Sequence, residues 1–253
     1  MRKDIDANKI QFPYEEPDHY KQIRLALQQG LTAEETVAKI NEIINAKIRM
    51  SLKYTGERLI PGHGNYEEHL NLYKAASIYC HGKTVLDAAC GCGWGSRWLL
   101  DNGAARVIGA DIDEEAVAFA RGEYIEDPMT LDFIQADLLN GISFGGTVCD
   151  RPWFPPEKYD VIVSIETLEH VSREEGPKLL KVFYDLLKPG GKLIVSTPDG
   201  AKFPYHPASP AEYRGFHKWH YTDDELIDIL ADYGMIITGP VNAAHILAVA
   251  DKG

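Results

Sequence analysis

The sequence is poor in several things. Four cysteines occur among 253 residues, too few for a small disulfide-held scaffold. Cys90 and Cys92 stand two apart, and Cys80 and Cys149 supply no second pair with metal spacing. Small buried or reduced thiols in a cytoplasmic protein are therefore expected. No apolar run is long enough to span a bilayer, and the charged start MRKDIDANK lacks the apolar stretch of a secretory signal. This predicts a cytoplasmic chain without a membrane partner. Positive charge is in deficit, with 26 Lys and Arg against 38 Asp and Glu and a net charge of -12. Such a surface repels nucleic acid at long range and favours a small or neutral partner. Internal repeats and low-complexity tracts are also missing.

What is present suits one α/β domain with an extension: 45% of residues are hydrophobic and 25% charged. Residues 1–17 are polar, with Pro13 and Pro17, and predict an irregular arm. A helical pattern covers 18–29, with Gly30 as its C-cap. Thr32 and Glu35 form a capping box, and behind it Val37, Ile40, Ile44 and Ile48 recur at helical spacing. That stripe needs cover, from the main domain or from a second copy in a homodimer. Residues 1–52 thus read as an N-terminal arm and helical extension, and 53–253 as the main domain.

From Lys83 strands and helices alternate. KTVLDAA, ARVIGAD, LDFIQAD, KYDVIVSI, GKLIVSTP, MIITG and HILAVAD read as strands, with helices over 94–102, 114–123, 173–187 and 223–233. This alternation predicts a doubly wound, mostly parallel sheet. The connection 139–158, which carries CDRPWFPP, is long and reads as a lid or surface insertion.

The densest signal is VLDAACGCGWGS, a strand running into a glycine-rich turn that opens a helix. Glycines let the backbone pass close under a ligand, and doubly wound sheets bind ligands at strand carboxyl ends. Asp111 ends the second strand twenty residues after Gly91, where a carboxylate accepts hydrogen bonds from ribose hydroxyls. A dinucleotide site uses that position too. Asp87, before the glycines, suits an ammonium and a sulfonium and suits a pyrophosphate badly. Asp137, closing LDFIQAD, stands where an adenine amino group can be bound. Each aspartate taken singly also fits a helix cap.

VLDAACGCGWGS, VIGADID, FIQAD, YDVIVSIETLEHV and LLKPGGKLIVSTP, in this order and spacing, resemble the successive motifs of class I S-adenosylmethionine-dependent methyltransferases. The resemblance covers roughly residues 54 to 253. It implies a Rossmann-like seven-stranded sheet with an antiparallel last strand. It implies that Asp87, Gly91 and Gly93 lie along the methionine part of S-adenosyl-L-methionine, Asp111 at the ribose, and Asp137 with Leu138 at the adenine. Ala89 and Ile112 are assigned to the same site. The stretch 54–58, with His69 and Tyr73, resembles an entry segment of some bacterial members and puts Arg58 and Tyr73 near the cofactor.

In a helical turn, Glu166, Glu169 and His170 of ETLEHV fall at i, i+3 and i+4 on one face. A second histidine pair lies in FHKWHYT, residues 216–222. The Glu-x-x-Glu-His pattern resembles the ubiquinone-biosynthesis O-methyltransferases and the small-RNA 2′-O-methyltransferases. In the latter, it implies a divalent metal held by Glu166, Glu169, His170 and His217. Without metal, His170 or His217 reads as a general base, or the pair Glu169 and His170 merely shapes the strand end. Phe203, Pro204, Tyr205, Tyr213, Phe216 and Trp219, with Trp153 and Phe154, read either as an acceptor-pocket wall or as a packed surface loop. The expected reaction is methylation of a hydroxyl on a small molecule or sugar, with RNA ribose as the alternative. Two other classes compete: an NAD-dependent oxidoreductase, which would want glycine or alanine where Ser96 stands, and a non-catalytic cofactor-binding subunit.

Overall fold

The computed structural model describes residues 35, 38, 66–140, 142–143, 159–204, 216–234 and 245–253. The chain divides into two compact units, Met1–Thr55 and Gly56–Gly253. In the first, Glu35 and Ala38 are helical and exposed. The remaining N-terminal expectations, with the stripe Val37, Ile40, Ile44 and Ile48, lie outside the described residues. So do Arg58, Cys149, Trp153, Phe154, Tyr205, Tyr213, residues 144–158 and the strand expected at 235–239.

In the second unit the order is α1 (Tyr66–Ser77), β1 (Thr84–Ala88), α2 (Trp94–Asp101), β2 (Arg106–Asp111), α3 (Glu114–Tyr124), β3 (Leu131–Asp137) and β4 (Ile142–Ser143). Then come β5 (Tyr159–Ser164), a 3-10 turn (Leu168–His170), α4 (Gly176–Leu186), β6 (Leu187–Pro198), α5 (Asp223–Ala231) and β7 (His245–Asp251). The seven strands lie in the order β4-β3-β2-β1-β5-β6-β7. The last strand runs antiparallel to β6, as expected. The two-residue β4, antiparallel to β3, brings the number to seven and arises from the long connection, where no strand was expected.

The central strands read as nearly unbroken apolar runs because both faces are covered. Val85, Leu86, Val107, Ile108, Val161 and Ile162 are all buried. On one face Leu179, Leu180 and Phe183 of α4 and Leu226 and Leu230 of α5 join the core. Helix starts follow local chemistry. Asp113 caps α3 by accepting the Ala116 amide at 3.0 Å, and Thr222 with Glu225 forms a full capping box on α5.

β1 leads outward to β2 and β3, whereas β5 leads to β6 and β7 on the other side. The order therefore reverses between β1 and β5, which are hydrogen-bonded neighbours. Loops leaving their carboxyl ends diverge and open a crevice there. The two described non-glycine residues with positive φ sit just past those ends: Ala89 at 60° and Glu166 at 51°. Such conformations cost energy and persist where packing enforces them.

Candidate active site

The turn after β1 is built around buried groups. Gly91 and Gly93 adopt φ of 54° and 85°, and Gly93 caps α2. Asp87 is wholly buried. Its carboxylate accepts the Ser96 hydroxyl at 2.6 Å and the Tyr73 hydroxyl at 3.0 and 3.3 Å. Tyr73 passes over Gly95, where a Cβ would stand 2.1 Å from its ring. Through these two hydroxyls Asp87 ties the end of β1 to α1 and α2. Tyr73 reaches Asp87 from α1, and its own ionisation is pushed well up by burial.

Burial raises the Asp87 pKa to about 6, although the Ser96 and Tyr73 hydroxyls oppose the rise. The folded protein thus holds this proton more tightly than an unfolded chain with a value near 3.8. The resulting stability is fully present below about pH 4 and is lost as pH rises through about 6. Denaturant unfolding from pH 4 to 7 should show a loss of about 2–3 kcal/mol in the wild type relative to Asp87→Asn. Parallel curves for the two proteins would remove this assignment.

Asp111 closes the turn from β2. One carboxylate oxygen accepts the Gly91 amide at 2.8 Å and the other the Asp113 amide at 2.9 Å. Ile112, beside it, is 59% exposed, an apolar face beside a carboxylate. Gln135 ties β3 to the Ile112 carbonyl at 3.1 Å. Asp137 accepts the Asn140 side-chain amide at 2.8 Å and its backbone amide at 3.1 Å. Chiefly the Asn140 side chain holds the Asp137 pKa below the usual carboxylate range, so it remains an acceptor. Leu138 is buried at 7% exposure. Cys80, Cys90 and Cys92 are buried free thiols. Burial pushes Cys80 up to about 12 and Cys90 well above the usual thiol range, so neither offers a thiolate.

Past β5 the structure departs from the helical-face expectation. Helical backbone covers Leu168–His170 alone, and the left-handed Glu166 lies outside it. The Glu166 carboxylate turns aside, accepting the Ser196 hydroxyl at 2.7 Å and meeting His245 Nδ1 at 2.9 Å. Burial raises its pKa, but His245 and Ser196 outweigh burial and hold it below the usual range. The same bond raises the His245 pKa against the effect of burial. Glu166 is thus absent from the cluster it was expected to join. Glu169, His170 and His217 do come together, with ligand atoms all within 4.8 Å of one another.

Backbone bonds bring the histidine segment over the strand ends. The Glu169 carbonyl accepts the Lys218 amide at 2.6 Å, and the Gly200 amide donates to the Tyr221 carbonyl at 2.8 Å. Tyr221 is 1% exposed, and the Arg173 guanidinium lies 4.8 Å from the centre of the Trp219 ring. His170 Nδ1 lies 3.3 Å from the Phe216 carbonyl. His170 Nε2 lies 3.9 Å from a Glu169 oxygen, too far for a hydrogen bond. His217 Nδ1 lies 2.7 Å from His220 Nε2, and His220 Nδ1 lies 2.6 Å from the Phe203 carbonyl. Burial lowers the His220 pKa. Phe203 and Phe216 are more than half exposed, whereas Trp219 packs against the core. The sequence showed the His217–His220 pair but gave His220 no task. It gave no signal at all for His245.

A positioned glycine turn, a carboxylate at the next strand end and an exposed apolar neighbour now stand together at the crevice. A methyltransferase-domain family model matches residues 85–191. A probable S-adenosylmethionine-dependent methyltransferase of Mycolicibacterium smegmatis is 29% identical over 79% of this chain and 72% of its own length. Over these residues the chain is similar to S-adenosylmethionine-dependent methyltransferases. Another probable S-adenosylmethionine-dependent methyltransferase, from Mycobacterium tuberculosis, is 30% identical over 73% of this chain, which spans 62% of that relative's length. A phosphoethanolamine N-methyltransferase of Triticum aestivum is 32% identical over 46% of this chain, which spans 20% of that enzyme. In structure, a DhpI complex with S-adenosylhomocysteine covers 83% of this chain and 95% of its own, with a TM-score of 0.60 at 18% identity. The methyltransferase fold and cofactor therefore replace the NAD reading. No described helix is long and apolar enough to cross a membrane.

Proposed function

We propose that this methyltransferase alkylates a hydroxyl of a small molecule or sugar, and that Glu169, His170 and His217 handle that hydroxyl. One observation carries the reading: the ligand atoms of these three residues lie within 4.8 Å of one another. In the reaction the acceptor oxygen forms a bond to the sulfonium methyl carbon, the carbon–sulfur bond breaks, and S-adenosylhomocysteine leaves. The donor is already activated, so the protein mainly supplies alignment and exclusion of water. The hydroxyl proton must also go to a base.

His170 and His217 can take that proton. One carboxylate and two imidazoles also fit a divalent ion, which would lower the pKa of a bound hydroxyl. The surroundings suit that role. His170 turns Nδ1 to a backbone carbonyl, the kind of bond that orients metal-binding imidazoles. Glu169 is 1% exposed, and the Thr197 hydroxyl donates to its carboxylate at 3.4 Å, which orients it. Glu166 would take no part, being engaged with His245 and Ser196. The net charge of -12 favours a small acceptor over RNA ribose.

The test is release of S-adenosylhomocysteine with four acceptor classes: phenols, sugars, phosphoethanolamine and an RNA oligonucleotide. Turnover is expected with a hydroxyl class, lost on exhaustive chelation and restored by one divalent ion. Full turnover by metal-free protein would leave the histidine-base form of the reading. Turnover with the amine alone would overturn the reading.

A further inference from the structure

We infer that His220 is a positioning residue: it fixes the tautomer of His217 and so selects the nitrogen that His217 presents to the acceptor. The inference rests on the proposed role of His217 only for its consequence in catalysis. Its structural content stands on two contacts. His220 Nδ1 is 2.6 Å from the Phe203 carbonyl, and His220 Nε2 is 2.7 Å from His217 Nδ1.

A carbonyl oxygen only accepts, so His220 Nδ1 carries the hydrogen. In the neutral ring, Nε2 then holds the lone pair. His217 Nδ1, facing that lone pair, must donate. The lone pair of a neutral His217 is thereby placed on Nε2. One backbone carbonyl thus sets the hydrogen pattern of two imidazoles in series. The rings are held in this relation, with centroids 4.9 Å apart and planes at 65°. The backbone pins the segment independently. Gly200 has no room for a side chain, since a Cβ would stand 2.5 Å from the His220 carbonyl oxygen.

The outcome matters because a base or a metal ligand must offer a lone pair. Were His217 in the other tautomer, Nε2 would carry a hydrogen and could neither accept a proton nor bind a cation. His170 is oriented by the same device in a single step, its Nδ1 lying 3.3 Å from the Phe216 carbonyl. Both histidines of the cluster are then set as Nδ1–H, Nε2-lone-pair tautomers by carbonyls of exposed phenylalanines. His217 reaches its carbonyl through His220. Groups that hydrogen-bond a ligand imidazole and fix its tautomer are typically worth about 10–100-fold in metal affinity or activity.

The experiment uses the full chain, labelled with 15N at histidine, with long-range proton–nitrogen spectra to read each tautomer. His217 and His220 are both expected to show hydrogen on Nδ1 and a lone pair on Nε2. His220→Leu should leave His217 a mixture of tautomers. His220→Gln should keep the wild-type pattern, because its amide both accepts from His217 and donates to the Phe203 carbonyl. Affinity for Mn²⁺ alone, measured by titration, and kcat should fall about 10–100-fold in the leucine variant and return in the glutamine variant. KM for S-adenosylmethionine should not move. A wild-type spectrum with hydrogen on His217 Nε2 overturns the inference, and needs no variant to fold. So does an unaltered His217 tautomer in the leucine variant, or equal losses in both variants. If the tautomers behave as stated while neither His220→Leu nor His217→Ala slows methyl transfer, the relay stands and the proposed function falls.

Discussion

Replacing Gly93 by alanine is expected to destabilise the protein by about 2–5 kcal/mol, which corresponds to a fall in Tm of roughly 10 °C. Two costs add. Gly93 has a φ of 85°, where an L-residue is strained by about 1–2 kcal/mol. Its Cβ would also stand 2.6 Å from the Ala120 side chain and 2.7 Å from the Phe133 ring, and such overpacking costs about 1–3 kcal/mol. Gly91 gives the contrast. Its φ is 54°, but a Cβ there meets nothing within 4 Å. Gly91→Ala should cost only the backbone strain, while its methyl group intrudes on the crevice and weakens S-adenosylmethionine binding. Thermal melts and cofactor titrations of the two variants separate these effects. Equal melting temperatures would show that the turn is not packed as described.

His217→Ala should lower kcat by about 10²–10⁴-fold, the usual weight of a positioned proton acceptor, and Glu169→Gln should act in the same direction. Affinity for S-adenosylmethionine should stay within a few-fold of the wild type in both, because neither residue belongs to the glycine turn. Glu166→Gln provides the control. Glu166 is tied to His245 and Ser196, so its loss should appear first as lost stability. Steady-state kinetics with a turned-over acceptor, together with cofactor titration, measure all three. A Glu166 variant that loses kcat while keeping its melting temperature, beside a His217 variant that turns over normally, would reverse the assignment.

The sheet and the glycine turn were legible because their signals are local. The apolar runs of β1, β2 and β5, the glycine turn and the strand-end Asp111 follow from neighbours in sequence, and the structure places them where that reading did. The capping box of α5 was not read from sequence, although Thr222 and Glu225 spell it. The hydrogen-bond partner that Asp87 finds in Tyr73 was not legible. The carboxylate is claimed by Tyr73, which arrives from a helix fourteen residues earlier.

The acceptor side divides in the same way. Sequence alone determined which chemical groups could meet there: two carboxylates and His170 in one short segment, and two histidines in another. It also determined that strands would deliver them to one edge of a sheet. Only the tertiary structure decided which of them meet. A left-handed backbone at Glu166 turned that carboxylate towards β6 and β7, and His245, remote in sequence, claimed it. The carbonyl of Glu169 drew Lys218 in and brought His217 over the cluster. The Phe203 carbonyl, again remote in sequence, engaged His220. These choices depend on hydrogen bonds between groups 17 to 79 residues apart. A periodicity or motif reports only what lies within a few turns of itself, so such pairings take shape only when the sheet assembles.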